Sequence, residues 1–196
     1  MSKLGVILAG GASSRFGTDK AAAILNGKSL LLHVCEGAAP QVDRLVINRN
    51  DTTEPYRSLG YEIMSDDWPG EGPLAGIVTA LGYARARGFA QIVSFPCDTP
   101  IFPADLVRRL TDQLMAAKAD CCMARHDGRE QRALAIWNTT CTSALKAEFL
   151  AGMRRLGDVS GVITTTVADF ADGFVNINTP DDLREAERRL ASRTTP

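Results

Sequence analysis

The sequence predicts an α/β protein built on a mostly parallel sheet, and three observations predict it. Short runs of apolar and β-branched residues alternate with apolar residues at helical spacing through residue 118. Such a β-α-β series requires parallel strands with helices over both faces. The segments after the strand-like runs are rich in glycine, proline and aspartate, the usual punctuation of loops. Finally, 196 residues, 45% hydrophobic and 23% charged, suffice for one globular domain with a sizeable core. Residues 1–196 therefore read as one domain.

Each element has its own signal. Residues 4–9 (Leu-Gly-Val-Ile-Leu-Ala) read as the first strand, and residues 29–38 as a helix starting at Ser29. Residues 44–48 form a short β-branched strand and 61–65 another. Residues 74–87 are apolar at helical spacing behind Pro73, a start signal. Residues 90–95 are a buried type of strand, and 104–118 an amphipathic helix behind Pro103. The second half changes character. Residues 120–125 and 133–137 read as two strands around an Asp127-Gly128 turn. Residues 140–151 are helical, 152–163 fit a short helix, and 164–169 and 174–177 fit strands. Thr179-Pro180-Asp181-Asp182 opens the last helix with a cap, a proline in the first turn and acids against the helix dipole. That helix runs to about residue 190, and 192–196 read as a frayed tail.

Several function classes are excluded. A net charge of −1 leaves no basic footprint for nucleic acid. No apolar stretch approaches the ~20 residues of a membrane span. The chain enters a strand at once, without a signal peptide, so a cytoplasmic protein is expected. Cysteines 35, 97, 121, 122 and 141 show no Cys-x-x-Cys spacing, which suits reduced thiols rather than a disulfide or zinc framework. His33 and His126 are far apart and receive no role.

The chemistry starts at the first strand's end. Glycines at 10, 11 and 17 let backbone amides approach an anion, and Arg15 and Lys20 can neutralise it from either side. A site that only holds a nucleotide needs the glycines. One that breaks a phosphoanhydride also needs the cations, because charge shifts onto the leaving pyrophosphate. A P-loop is absent: Gly11 and Gly17 are one residue too far apart, and Ala22 stands where Gly27-Lys28-Ser29 would need a glycine. A Gly-x-Gly-x-x-Gly dinucleotide fingerprint is absent too. Ligands of open α/β sheets bind at the carboxyl ends of the strands. Those ends hold Gly10 and Gly11, then Asn48, then Asp66 and Asp67, then Pro96-Cys97-Asp98-Thr99-Pro100. Asp98, stiffened by two prolines, suits Mg²⁺, which takes one or two carboxylates plus phosphate oxygens and water. Cys97 reads as a small buried neighbour, not a nucleophile.

Residues 8–20 resemble the signature Leu-x-Gly-Gly-x-x-x-Arg-Met-Gly-x-Asp-Lys of the MobA-like nucleotidyltransferases, with Phe16 in place of Met. Residues 96–100 resemble that family's Pro-Cys-Asp-x-Pro metal motif, 72–76 its Gly-Pro-Leu-Ala-Gly motif near the base, and 176–183 its Asn-x-Asn-Thr-Pro-Glu-Asp-Leu. The resemblance spans residues 4 to about 190. It implies a three-layer α/β/α sandwich of the nucleotide-diphosphosugar-transferase-like (Rossmann-like) type. The implied reaction moves GMP from GTP to the terminal phosphate of molybdopterin, with Mg²⁺ as cofactor, GTP and molybdopterin as substrates, and transient contact with other molybdenum cofactor enzymes. The nucleotide half comes first and the acceptor half second.

The catalytic set implied is Arg15, Lys20 and Asp98, with Asp98 also the metal ligand. GTP falls to Leu8, Ala9, Gly10, Gly11, Gly17, Lys20, Asn48, Asp66, Gly76 and Asp98. Either Asp66 or backbone reads the guanine. The acceptor falls to Arg129, Asn176 and Asn178, and Arg132 stands where the family often has Pro. The stretch 126–132 also fits an exposed charged hairpin. The alternative reaction is cytidylyl or guanylyl transfer to another phosphorylated acceptor. A nucleotide-binding module without turnover would not require Arg15, Lys20 and Asp98 together.

Overall fold

A computed structural model describes residues 1–10, 19–50, 56–171 and 174–193. In chain order its elements are β1 (Lys3–Leu8), β2 (Ile24–Leu25), β3 (Lys28–Ser29), α1 (Leu30–Ala38), β4 (Arg44–Asn48), β5 (Glu62–Met64) and α2 (Pro73–Ala86). There follow β6 (Gln91–Pro96), α3 (Leu106–Ala117), β7 (Cys121–His126), β8 (Arg129–Asn138), α4 (Thr142–Leu150), β9 (Thr165–Asp169) and α5 (Pro180–Arg193).

Seven strands make one sheet in the order β5-β4-β1-β6-β8-β7-β9. Strand β1 runs parallel to β4 and β6, β4 parallel to β5, and β7 parallel to β9. Only β8 runs against its neighbours, as the return arm of a hairpin with β7. Its two-residue turn needs positive φ at both positions, and Asp127 (φ 48°) and Gly128 (φ 72°) supply it. The mostly parallel sheet is as expected.

Alternation along the central strands sorts the core into two layers. Leu4, Val6 and Ile92 face α2 and α4 through Leu74, Ile77, Leu81, Leu145 and Phe149, with Trp137 buried among them. Ile7, Val93 and Phe95 face α1 and α3 through Leu31, Val34, Leu106 and Leu110. Side chains at successive strand positions point to opposite faces, so a parallel strand buried on both sides reads as a continuous apolar run. The result is the three-layer α/β/α sandwich.

Local signals set the helix starts. Ser29 caps α1, its hydroxyl accepting from the Leu32 amide at 3.2 Å. Gly72, at φ 86°, turns the chain into α2, and Pro73 takes the first helical position. At α5 the Thr179 hydroxyl accepts from the Asp182 amide, while Asp182 Oδ2 accepts from the Thr179 amide, a reciprocal cap. Helix α3 begins two residues later than expected, at Leu106, and the Gln41 side chain accepts from the Val107 amide at 3.0 Å.

One expectation is corrected. Residues 174–177 are not a strand of the sheet. They lie extended beside the loop after β6, joined by an isolated bridge between Ile101 and Val175 and by the Ile177 amide donating to the Asp98 carbonyl at 2.8 Å. The amides find loop carbonyls instead of a sheet edge. Residues 152–163 hold the expected short helix, a 3₁₀ helix over Leu156–Gly161. The β2–β3 ribbon, folded over Asn26 (φ 46°) and Gly27 (φ 80°), had no counterpart in the expectation. No helix among the described residues is long and apolar enough to cross a membrane. All five cysteines are free thiols.

Candidate active site

The carboxyl ends of β1, β4 and β6 open into a cavity of about 650 Å³. Its floor is Leu8, Ala9, Gly10, Asn48 and the 96–99 turn; the start of α2 adds Gly72, Pro73 and Gly76. Asp19, Lys20, Asp66, residues 131–134, Asn176 and Asn178 complete the wall. Most of the expected site residues therefore meet in one place. Gly11, Arg15 and Gly17 lie outside the described residues.

Lys20 and Asp98 meet in this cavity. Lys20 stands on a 3₁₀ turn (Lys20–Ala22) that Asp19 caps, its Oδ1 accepting from the Ala21 amide at 3.1 Å. That turn brings Lys20 Nζ to 3.0 Å from Asp98 Oδ2 and 2.8 Å from Asn178 Oδ1. Asn178 Nδ2 in turn donates to Asn176 Oδ1 at 3.1 Å. Three segments distant in sequence thus converge: the residue-20 turn, the end of β6, and the extended segment before α5. Both ionic side chains are partly exposed, 14% for Lys20 and 26% for Asp98, so an incoming phosphate can reach the ammonium.

Asp98 is held by its main chain. Its carbonyl receives the Ile177 amide, the Cys97 amide donates to the Leu8 carbonyl at 3.2 Å, and the Thr99 amide closes a turn on the Pro96 carbonyl. Among the described residues no group of three carboxylate, thiol or imidazole side chains gathers around a metal position. One carboxylate fits Mg²⁺ when phosphate oxygens and water complete its shell, and that is how this ion usually binds. Burial, then the negative charge of Asp98, pushes the Cys97 thiol up to about 12, so it is no thiolate nucleophile.

Asn48, Asp66 and Gly76, three of the residues expected at the nucleotide, line the cavity together. Asn48, 3% exposed, donates from Nδ2 to the Met64 carbonyl at 3.3 Å. Asp66 Oδ1 accepts from the Trp68 amide and the Thr79 hydroxyl, both at 3.0 Å; Oδ2 carries neither bond. A Cβ on Gly76 would lie 2.5 Å from Asn48 Oδ1 and 3.1 Å from Leu8 Cδ2. Gly76→Ala is accordingly expected to shift Asn48, costing about 1–3 kcal/mol of stability by overpacking and weakening GTP binding by about tenfold or more. Thermal melting and calorimetric titration measure the two; wild-type values of both would show that the close approach is dispensable.

The residues expected to hold the acceptor are arranged differently in detail from expectation. Arg129 pairs with His126 at the hairpin end and does not line the cavity. The register of β7 on β8 jumps between Met123, opposite Ala135, and Ala124, opposite Gln131. The bulge leaves Arg132, Ala133 and Leu134 unpaired in the ladder, and these line the cavity with Gln131. Arg132 Nε is bonded to Glu130 at 2.9 Å. Asn178, expected at the acceptor, holds Lys20.

Sequence reasoning missed the support behind Lys20. Arg49 is 8% exposed; its Nη2 lies 2.5 Å from Asp19 Oδ2 and its Nη1 3.4 Å from the Ala9 carbonyl. The Tyr56 hydroxyl also donates to Asp19 Oδ2. Burial pushes the Asp19 carboxyl up, but Tyr56 and Arg49 outweigh it and hold it below its ordinary value. A cation directly after the strand end at Asn48 was the available signal.

The MobA-like NTP transferase domain is the family whose sequence model matches residues 5–162. A Shewanella sediminis protein named molybdenum cofactor guanylyltransferase is 36% identical over 191 residues, 95% of this chain and 96% of its own. The crystal structure of molybdopterin-guanine dinucleotide biosynthesis protein A from Archaeoglobus fulgidus superposes with a TM-score of 0.77 at 25% identity, over 97% of this chain and 99% of that one. A Mycobacterium tuberculosis protein solved in complex with manganese shares the fold at 17% identity, with a TM-score of 0.69 over 96% of this chain and 99% of its own. With its family signature matched over most of its length and a curated relative covering nearly all of it, this chain belongs to the MobA-like NTP transferases.

Proposed function

We propose that this chain transfers GMP from GTP to the terminal phosphate of molybdopterin, forming the guanine dinucleotide and releasing pyrophosphate. The observation that carries this reading is the Lys20–Asp98 pair, 3.0 Å apart in the cavity at the carboxyl ends of the strands. The guanylyltransferase name of the 36% identical relative supports the nucleotide and the acceptor class.

An acceptor phosphate oxygen attacks the α-phosphorus in line. The new P–O bond forms as the α–β bridging bond breaks, and the electron pair leaves on pyrophosphate. No covalent enzyme intermediate is required; positioning and charge stabilisation suffice. Leu8, Ala9 and Gly10 border the phosphates, with Gly11 and Gly17 completing the cradle. Lys20, together with Arg15, neutralises charge that grows on the leaving group. Asp98 would hold Mg²⁺, the ion proposed here, which would supply Lewis-acid polarisation of phosphate oxygens. Asp66 Oδ2 is the acceptor for guanine N1–H and N2–H₂, donors that adenine does not pair. Asn176 and Asn178, with Gln131 and Arg132, face the acceptor; Arg129 stands farther out on the hairpin. The two halves of residues 1–196 work as one domain.

The test supplies the protein with Mg²⁺, molybdopterin and each of four nucleoside triphosphates, reading pyrophosphate release and the dinucleotide by mass spectrometry. Turnover with GTP alone and appearance of molybdopterin guanine dinucleotide are expected. Equal turnover with CTP overturns the base assignment. Guanylylation of a simple sugar phosphate without any of molybdopterin overturns the acceptor.

A further inference from the structure

Arg49 joins, through its side chain, two points that lie ten residues apart in the chain, Ala9 and Asp19. Its main chain is fixed next to the sheet, where its amide donates to the Met64 carbonyl at 2.9 Å. Its guanidinium reaches two points on either side of residues 10–18: the Ala9 carbonyl where β1 ends, and the Asp19 carboxylate where the Lys20 turn begins. The guanidinium carbon lies 3.7 Å from the centroid of the Tyr56 ring, and Tyr56 is 4% exposed, so the fork lies on a fixed surface. Both Asp19 oxygens are engaged, Oδ1 on the Lys20 turn and Oδ2 on Arg49 and Tyr56. Rotation of the Asp19 carboxyl would therefore tilt the turn that aims Lys20 at Asp98.

From this geometry we infer that Arg49, braced by Tyr56, is a positioning residue for the transfer: it fixes the Asp19-capped turn and thereby sets where Lys20 Nζ meets the reacting phosphates. The inference rests on the reaction proposed above. A planar, two-pronged cation is required, because one lysine ammonium cannot serve the Ala9 carbonyl and the Asp19 carboxylate from separate nitrogens while lying on a ring.

Arg49→Lys keeps the charge and removes the fork. It is expected to lower kcat at saturating GTP and acceptor by about 10²-fold, the scale of an ångström-size misplacement, with a change in the KM for GTP below about threefold. The decisive measurement is a double-mutant cycle with Lys20→Ala, read by pyrophosphate release. If Arg49 acts through Lys20, adding Arg49→Lys to Lys20→Ala changes kcat by less than about twofold. An equal loss in both backgrounds shows that Arg49 merely supports the fold and overturns the inference. Slow turnover of Lys20→Ala beside a wild-type rate for Arg49→Lys overturns the inference alone. A wild-type rate for Lys20→Ala overturns both the inference and the role given to Lys20 in the proposed reaction. Should Arg49→Lys fail to fold by thermal melting, Tyr56→Phe removes only the hydroxyl donated to Asp19; a smaller loss of kcat that vanishes in Lys20→Ala is then expected, and an equal loss in both backgrounds overturns the inference.

Discussion

Asp98→Ala is expected to lower kcat for guanylyl transfer by about 10²–10³-fold, a loss of about 2.7–4 kcal/mol of transition-state stabilisation. The carboxylate pairs with Lys20 and is the proposed seat of the divalent cation, so its loss would remove the metal that offsets charge on the phosphates. The fold is expected to survive. The loop is kept in place by the carbonyl of Asp98, the Cys97 amide and the Thr99 turn, none of which needs the side chain. The ion pair itself is partly exposed and contributes about 0.2–1 kcal/mol at most. Thermal melting should therefore move little while turnover collapses. The signature to look for is a lost response to Mg²⁺ at fixed GTP. A near-normal rate at saturating Mg²⁺ in a well-folded variant would remove the metal from this residue.

The residues that sequence placed well are those whose signal is local. Ser29 caps a helix because its hydroxyl meets an amide three residues on; Pro73 and the Asp127-Gly128 turn act through their own φ angles. Lys20, Asp98 and Asn178 were legible as candidates because they follow strand ends or open a helix, although their convergence is a tertiary fact. Other features depend on partners that no spacing reveals. Residues 174–177 look like a strand by composition, yet their amides bond to loop carbonyls. Arg129 and Arg132 are both cations on β8, and the bulge opposite Met123 and Ala124 decides which of them faces the cavity. Arg49 is the deepest miss. The role inferred for it comes from reaching residues 9 and 19 at once, a relation that exists only after β1 and β4 pair.

Lys20→Ala separates binding from catalysis at the same site. Its kcat is expected to fall about 10²-fold, or about 2.7 kcal/mol, with the dissociation constant for GTP rising only a few-fold. Before nucleotide arrives, the ammonium sits on the Asp98 carboxylate and the Asn178 amide oxygen. In the proposed reaction GTP would exchange those partners for phosphate oxygens, so little net affinity is expected from the residue. The gain appears later, when the bridging oxygen takes on charge as the bond to the β-phosphate breaks. The Mg²⁺ response distinguishes this loss from that of Asp98→Ala. Removing Lys20 takes away the cation that competes for Asp98, so the Mg²⁺ concentration for half-maximal rate is expected to stay the same or fall. Stopped-flow pyrophosphate release at several Mg²⁺ concentrations, beside equilibrium GTP binding, reads all three quantities. A variant whose only change is a higher KM for GTP would show that Lys20 holds the ground state and contributes nothing special to the transition state.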